Sequence, residues 1–377
     1  MGLCPYCLFT DFGYPQGSTC LGRTILTYFV AANAPSSRII PGSTDPLNYN
    51  PALDGLRGLA ALMVVAYHSK LSMVQGGFLG VDLFFVLSGM LITRLLRSEL
   101  EVSGTMDVGR FYWRRLLRLW PPMLVMLLLY ACVMPLLIDG VDITSDVPMV
   151  MFYLTDYTYP LWRIPELLRH TWSLSVEEHF YLVWPLVILA TRKVDARTLA
   201  MALFCAYLAA TGWRMMDYSL FGDWEWTYFR LDTRLSGLLL GSALGLVRWE
   251  PTSEAFGWTG LVLLAILAAT MSLPSWFQFS SGTVLAELAS AAVVCAALRR
   301  DGLFFRLLSW RPLVFFGLLS YSIYLVHYPI VRVLRDEIDP STTFAITMAV
   351  SVVIAWAIHI LVERPLRRWR NAKPAMA

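Results

Sequence analysis

Charged residues are scarce in this sequence, at 15% of 377 positions, whereas soluble domains carry roughly 25%. The formal net charge is only +3, and the basic residues gather in separate short segments rather than in one continuous stripe. This balance excludes a nucleic-acid partner, because binding a phosphate backbone needs a strongly basic surface. Hydrophobic residues instead reach 57%, above the roughly 45–50% of soluble domains. The lipid bilayer is therefore the expected environment.

Common site motifs are also absent. The chain has no Gly-x-Ser-x-Gly elbow, no dinucleotide-binding fingerprint and no phosphate-binding loop with its lysine. Cys4 and Cys7 have the spacing of a metal-binding pair, but no second pair follows at zinc-site spacing. We therefore expect no metal site.

Ten apolar segments follow a loop-like stretch rich in Ser, Pro, Asn and Gly. Most are close to the ~20 residues needed to cross a bilayer, which predicts an all-α, polytopic transmembrane bundle of about ten helices. The segments lie at about 56–73, 78–96, 123–138, 173–190, 199–215, 228–247, 258–273, 282–298, 313–333 and 344–362. A membrane domain is expected over 53–368, after a poorly ordered cytoplasmic extension (1–52) and before a basic tail (369–377).

The distribution of basic residues predicts the orientation, because cytoplasmic joints carry the excess of Lys and Arg. Four joints that lie an even number of crossings apart are basic, and the opposite joints are mainly acidic. The basic joints contain Arg97 and the arginines from Arg110 to Arg118; Arg192, Lys193 and Arg197; Arg299, Arg300 and Arg306; and the tail from Arg364. Both termini are therefore predicted to be cytoplasmic.

Five of the predicted helices carry titratable groups toward the same end. A charged side chain inside a span costs about 2.5–3.5 kcal/mol even on lenient insertion scales, so each needs a partner or a function. Taken singly, each fits a charge at a helix start or a hydrogen-bonded core histidine. Their common depth favours a shared polar site, where an imidazole near carboxylates can act as a general base. The groups are His68, Asp82, Glu177 with Glu178, Asp232 and His327.

Arg57 precedes His68 by eleven residues on one predicted helix, a rise of about 16 Å. These two residues therefore mark opposite ends of a path through the membrane. Near the Arg57 end, a cluster of arginines from Arg110 to Arg118 suits phosphate oxygens, which guanidinium groups bind bidentately. The alternative interpretation is topological charge that contacts lipid headgroups. Ser88, beside Gly89, lies deeper than Asp82 and is a further site candidate.

The sequence resembles acyltransferase family 3, the membrane acyltransferases that modify bacterial surface sugars, peptidoglycan and some antibiotics. Six short motifs stand in the order of the family and extend from about Leu53 to Arg368. They are LDGLRG (53–58) running on to His68, GVDLFFVLSG (80–89), FYWRR (111–115) with Arg118 and Pro121, WSLSVEEHFY (172–181), SYSIYLVH (320–327) and VERP (362–365).

The resemblance implies roles for individual residues. His68 matches the catalytic histidine and Arg57 its paired arginine on the cytoplasmic side, while Arg114, Arg115 and Arg118 would hold an acyl-CoA donor. Asp82 or Glu178 would orient the His68 ring and stabilise its imidazolium form. His179 departs from the usual glutamine and leaves the acid and base assignment open. The other site candidates are Ser88, Glu177, His179, Tyr181, Asp232 and His327.

The resemblance thus implies a multi-pass enzyme of the bacterial cytoplasmic membrane. It would transfer an acyl group, expected to be acetyl, from acyl-CoA to a hydroxyl of a carbohydrate, a glycolipid or a small acceptor, with His68 as general base and no permanently bound cofactor. Two other classes stay open: a proton-coupled transporter or flippase, since intramembrane Asp, Glu and His also form proton relays, and an inactive scaffold. The acyl group, the acceptor, an acyl-enzyme step and the oligomeric state are left undecided by the sequence.

Overall fold

The first described helix begins at a capped proline. In the computed structural model, which describes residues 49–372 except 248, 250 and 252, the Asn50 side chain accepts the backbone N–H of Ala52 at 3.0 Å. Pro51 occupies the first turn, where its missing N–H costs no helical hydrogen bond. Most of the predicted extension 1–52, with Cys4 and Cys7, and the end of the predicted tail lie outside the described residues.

Helices dominate the described residues, and no strand occurs among them. The predicted all-α class is therefore confirmed. In chain order the α-helices are α1 (Pro51–His68), α2 (Gly80–Ser103), α3 (Val108–Leu137), α4 (Ile143–Met151), α5 (Thr155–Trp162), α6 (Trp172–Ala190), α7 (Ala196–Phe221), α8 (Trp224–Phe229), α9 (Leu231–Val247), α10 (Ala255–Thr270), α11 (Thr283–Ala297), α12 (Gly302–Leu308), α13 (Arg311–Leu334), α14 (Pro340–Ile358) and α15 (Arg364–Ala372).

Each of the ten predicted apolar segments overlaps a helix, namely α1, α2, α3, α6, α7, α9, α10, α11, α13 and α14. Six helical segments of the described chain are long and apolar enough to cross a membrane. They are Gly77–Ser103, Val108–Leu137, Ala196–Phe221, Gln278–Ala297, Arg311–Leu334 and Pro340–Trp369. The chain is thus a multi-pass membrane protein, while the total of about ten crossings and the cytoplasmic termini stay predictions.

The boundaries of α3 differ from the prediction. The sequence pattern marked an apolar segment from about Met123 and assigned the preceding arginines to a loop, but the helix begins at Val108. The Asp107 carboxylate caps this start by accepting the backbone N–H of Arg110 at 2.8 Å. The hydropathy pattern does not mark the first turns of this helix, because the arginines there are polar. These turns nevertheless belong to one continuous helix. Arg114 and Arg118 therefore lie one turn apart on the same helix.

Glycines let two pairs of helices approach each other closely. A methyl group at Gly317 on α13 would overlap the backbone oxygen of Asp54 on α1, and one at Gly58 would overlap the backbone of α13. In the same way, Gly89 on α2 and Gly241 on α9 each face the backbone of the other helix. Small residues permit such contacts, which fix one helix against another. The close α1–α13 pair matters for the site, because it carries His68 and His327.

Candidate functional site

Two histidines from distant parts of the chain meet where α1 ends. His68 is the last residue of α1, and its Nδ1 lies 2.9 Å from Nε2 of His327 on α13. The two rings are nearly parallel, with centroids 5.1 Å apart, and Tyr328 meets the His68 ring edge-on at 4.8 Å. His327 is fully buried, whereas His68 is only half-buried. The structure therefore brings together two of the predicted site histidines.

The hydrogen bonds of His327 determine the proton positions of this pair. His327 Nδ1 lies 2.7 Å from the carbonyl oxygen of Tyr324 and 3.2 Å from that of Ile323. Because a carbonyl only accepts, Nδ1 of His327 carries the proton, and Nε2 of the neutral ring must accept. The proton between the rings therefore sits on Nδ1 of His68. The neutral His68 ring then has a bare lone pair on Nε2, which is the form that a general base requires.

A third histidine packs against this pair. The His170 ring stacks on Tyr328 with centroids 5.0 Å apart and meets His327 edge-on at 5.2 Å. Its Nε2 donates to the carbonyl oxygen of Leu325 at 3.1 Å, and its Nδ1 is buried without a hydrogen-bond partner. Desolvation by burial, with a smaller contribution from His327, lowers the pKa of His170 well below its ordinary range. Neutral His170 thus presents a free acceptor at Nδ1.

His68 lines a cavity of about 320 Å³, here called the histidine cavity. His170 and several aromatic side chains also line it, among them Trp172, Trp224 and Tyr228. Nε2 of His68 makes no hydrogen bond to any described residue. His68, whose Nε2 is unbonded, therefore lines a cavity that is large enough for a small ligand.

A second cavity of about 380 Å³, here called the arginine cavity, lies toward the other end of α1. Its wall gathers most of the predicted donor-binding and acidic candidates: Arg57, Ser88, Arg114, Arg115, Arg118, Glu177, Glu178 and Tyr181. The guanidinium carbon of Arg115 lies 3.3 Å from the ring centroid of Tyr181, while Arg57 pairs with Asp54 at 2.7 Å. Within the described residues, Arg114, Arg115 and Arg118 of α3 form no ion pair with a carboxylate within 4 Å.

Val81 and Tyr324 line both cavities. The Tyr324 hydroxyl donates to the carbonyl oxygen of His170 at 2.7 Å and lies 2.6 Å from Oγ of Ser173. Since the single phenolic proton goes to the carbonyl, Ser173 is the donor in the second bond. The two chambers are therefore adjacent, and a tethered phenol together with an aliphatic side chain forms the wall they share.

The other predicted groups have partners of their own. Asp82 accepts a hydrogen bond from Arg234 at 2.9 Å, and both side chains are buried. Asp232 is bound by Trp213 Nε1 at 2.7 Å and by Arg230. Nδ1 of His179 lies 3.1 Å from Asp156. Apart from His327, the predicted outer layer is thus divided into separate contacts rather than gathered around His68.

Sequence reasoning did not single out several residues of this region. Arg234, Arg214 and Glu287 form a buried polar cluster with Asp82 in which Ser236 receives a hydrogen bond from Arg214 at 2.6 Å. Arg169 and His170, next to the WSLSVEEHFY motif, line the histidine cavity, and Tyr324 lies inside the SYSIYLVH motif. Placing a charged side chain inside a membrane span costs free energy, so buried arginines are rare there. Applied to every predicted span, this argument would have singled out Arg214 and Arg234.

Comparisons with known proteins identify the family of the chain. A family model described as an acyltransferase domain, of acyltransferase family 3, matches residues 50–360. The O-acetyltransferase OatA of Staphylococcus aureus strain NCTC 8325 is 32% identical over 349 residues, which cover 85% of this chain and 57% of the relative. A putative O-acetyltransferase of strain MRSA252 is 29% identical over 362 residues, covering 86% of this chain and 60% of the relative. The chain therefore spans less than two thirds of the length of these relatives. No solved structure matches.

Proposed function

The chain belongs to acyltransferase family 3, an enzyme family that transfers acyl groups, and on that premise we propose that it is a membrane O-acetyltransferase with His68 as general base. The observation that carries the proposal is the bond between His68 Nδ1 and His327 Nε2, which leaves Nε2 of His68 bare in a ligand-sized cavity. The donor would be acetyl-CoA and the acceptor a hydroxyl of a carbohydrate or a related molecule.

The arginine cavity supports a phosphate-bearing donor. Arg114 and Arg118 lie one turn apart on α3, Arg115 flanks them, and all three line the cavity without a carboxylate partner within 4 Å among the described residues. Guanidinium groups bind phosphate oxygens through paired, charge-assisted hydrogen bonds. The nucleotide end of acyl-CoA would rest here, and its pantetheine arm would extend along α1 toward His68. On the predicted topology this cavity faces the cytoplasm.

The histidine cavity supports an acceptor that approaches from the other end. Its aromatic walls, including Trp172, Trp224 and Tyr228, offer flat apolar faces with a negatively polarised surface. Sugar rings present polarised C–H groups that pack on such faces, while their hydroxyls point sideways. A sugar hydroxyl could therefore reach Nε2 of His68 while the ring rests on aromatic side chains.

The reaction is a single acyl transfer in this scheme. The acceptor oxygen forms a bond to the thioester carbonyl carbon as its proton moves to Nε2 of His68. The imidazolium then keeps both N–H groups, and Nδ1–H stays bonded to His327. When the carbon–sulfur bond breaks, the leaving thiolate takes the proton from Nε2. The acetyl ester and free CoA are the products, and His68 returns to its neutral form.

His327 is the group that we assign to position the His68 ring. It contacts the ring directly, whereas Asp82 is bound to Arg234 and Glu178 lines the arginine cavity. In a hydrolase triad a carboxylate holds the base in the correct tautomer; here a histidine anchored to backbone carbonyls would serve the same purpose. His327 is thus a positioning residue, because it acts through His68.

Purified protein in detergent, supplied with acetyl-CoA and a panel of free sugars and glycosides, tests the proposal. We expect free thiol to appear only when an acceptor is present, and His68→Ala to abolish that release at normal protein yield. His359→Gln is the matched control, because His359 is also a buried histidine of a membrane helix but is bonded to Glu363 and lines neither cavity. Retention of a near wild-type rate by His68→Ala would refute the assignment.

The same preparation separates the enzyme from its rivals. A proton-coupled transporter would move solute across proteoliposomes without consuming thioester, and an inactive scaffold would do neither. Acceptor-dependent CoA release, with an ester recovered on the acceptor, is expected only of the acetyltransferase.

A further inference from the structure

The histidine cavity is lined by three cationic side chains, namely Lys70, Arg169 and Arg335, and by no carboxylate. The arginine cavity differs in this respect, because acidic side chains such as Glu177 line it beside its arginines. An acceptor that enters the histidine cavity therefore meets charged side chains that are all positive.

Arg169 lacks an anionic partner. Its NH1 donates to the hydroxyl of Tyr159 at 2.9 Å, and its guanidinium lies 5.6 Å from the ring centroid of Tyr328. No carboxylate of the described residues lies within 4 Å of it; the nearest link runs through Tyr159, whose hydroxyl lies 3.3 Å from Glu225. The hydrogen bond and the ring contact offset only part of the hydration that a half-buried guanidinium loses, because no opposite charge faces it. An anion bound in the cavity would offset that cost.

Two further polar atoms of the cavity residues lack hydrogen-bond partners. Nε of Arg335 is buried and makes no hydrogen bond, although it forms an ion pair with Asp336 at 3.5 Å. Asp336 is bonded at 2.7 Å to Lys70, so that carboxylate is already engaged outside the cavity wall. The buried acceptor at His170 Nδ1 is the second atom. The cavity thus offers unused donors for an anion and one unused acceptor for a hydroxyl.

We propose that the histidine cavity selects an acceptor that carries an anionic group, a carboxylate or a phosphate, in addition to the hydroxyl that is acylated. Arg169 and Arg335 hold the anion, aromatic side chains support the ring, and His68 faces the reacting hydroxyl. This inference rests on the function proposed above and adds the substrate class. Uronate-containing sugars and sugar phosphates share the required chemistry.

Three matched acceptors test the inference with the purified full chain: methyl glucoside, methyl glucuronoside and glucose 1-phosphate. We expect kcat/KM for at least one charged acceptor to exceed that for methyl glucoside by about tenfold or more, the effect of one charge-assisted hydrogen bond. Arg169→Gln and Arg335→Gln should each lower kcat/KM for the charged acceptor about tenfold, and by clearly more than kcat/KM for methyl glucoside, so that most of the preference is lost. The charged acceptor that responds identifies the anion as carboxylate or phosphate.

Arg332→Gln is the control, because Arg332 lies in the last turn of α13, which Arg335 directly follows. Arg332 pairs with Glu166 at 3.1 Å and lines neither cavity. The preference of this variant for charged over uncharged acceptors should match that of the wild type. Equal rates for all three acceptors, unaffected by the variants, would overturn the inference and leave the acetyltransferase standing.

A binding measurement keeps the two proposals separable. Calorimetric titration with methyl glucuronoside and glucose 1-phosphate should show binding that Arg169→Gln weakens about tenfold and added salt weakens further. Such binding without any turnover would support the anion site and count against the acetyltransferase. Absence of charge-dependent binding and of charge-dependent turnover together would overturn the anion site.

Discussion

His327 accepts the Nδ1 proton of His68 across 259 residues of sequence, and it is held for that purpose by the backbone carbonyl of Tyr324 at 2.7 Å. The contact joins α1 to α13 at the place where glycines already bring these helices together. One tautomer of each ring follows from this geometry, and with it the identity of the basic nitrogen.

Replacing His327 should therefore impair catalysis rather than donor binding. We expect His327→Ala to lower kcat by about 10²-fold or more, within the range that a positioned base contributes, with little change in KM for acetyl-CoA. His327→Gln should retain part of the rate, because an amide oxygen can also accept from Nδ1 of His68. Steady-state kinetics at varied acetyl-CoA concentration measures kcat and KM separately. An increase in KM at unchanged kcat would contradict the positioning role.

Removing arginines from α3 should weaken binding of the acetyl-CoA donor. Arg114→Ala and Arg115→Ala are each expected to raise KM for acetyl-CoA about tenfold, as loss of a charge-assisted phosphate contact predicts, with normal protein yield and unchanged acceptor dependence. Arg197→Ala is the matched control, because Arg197 is an exposed helical arginine that lines neither cavity. Unchanged donor saturation, together with a cysteine label that reports this region on the outer face, would show both the donor site and the predicted topology to be wrong.

The ion pair of Asp82 and Arg234 predicts a loss of stability. Asp82→Asn leaves a buried guanidinium without its counter-charge, which costs about 3–5 kcal/mol in buried pairs. Thermal unfolding in detergent should show this loss, and the double variant Asp82→Leu with Arg234→Met should recover most of it. Transfer rates of the folded double variant then show whether Asp82 has a structural role or a catalytic role. A stable but inactive protein would restore the catalytic role that the sequence predicted for Asp82.

Close packing at Gly317 predicts a loss of both stability and activity. The methyl group of Gly317→Ala meets the backbone oxygen of Asp54, which cannot rotate away, so α1 and α13 must separate and lengthen the His68–His327 contact. We expect a lower unfolding temperature and a lower kcat. Gly212→Ala is the control: Gly212 lies in α7 with no atom within 4 Å of an added methyl group, and alanine there favours the helix by about 1 kcal/mol. Equal behaviour of the two variants would contradict the packing argument.

Local patterns in the sequence predicted the helices and the arginines of one cavity. Apolar runs are a property of neighbouring residues, so the segments that became α2 or α13 were visible directly. The start of α3 was missed, because its arginines lower the hydropathy although Asp107 caps a continuous helix. The clustering of Arg114 with Arg115 was predicted, and both line the arginine cavity. The predicted place of Glu178 was wrong, because it lines the arginine cavity rather than the histidine cavity that contains His68.

Pairings between distant helices could not be predicted in the same way. His68 and Asp82 share a depth in the sequence-based topology, but depth does not specify the direction in which a side chain points around its helix. Asp82 faces Arg234 on α9, and His68 faces His327 on α13. Those directions depend on which helices pack together. Glycines such as Gly241 and Gly317 determine this packing, because they let the helix backbones come close.

The wall that Val81 and Tyr324 form between the cavities matters for the membrane as well as for the reaction. On the predicted topology, two chambers at opposite ends of α1 would, if joined by water, conduct protons down the electrochemical gradient, dissipating about 2.3 kcal/mol per charge for each 100 mV. An aliphatic side chain offers such a proton wire no hydrogen bond, and the Tyr324 hydroxyl is already engaged by His170 and Ser173. While no donor arm passes between Val81 and Tyr324, the bundle can thus hold two cavities and still insulate the membrane that it occupies.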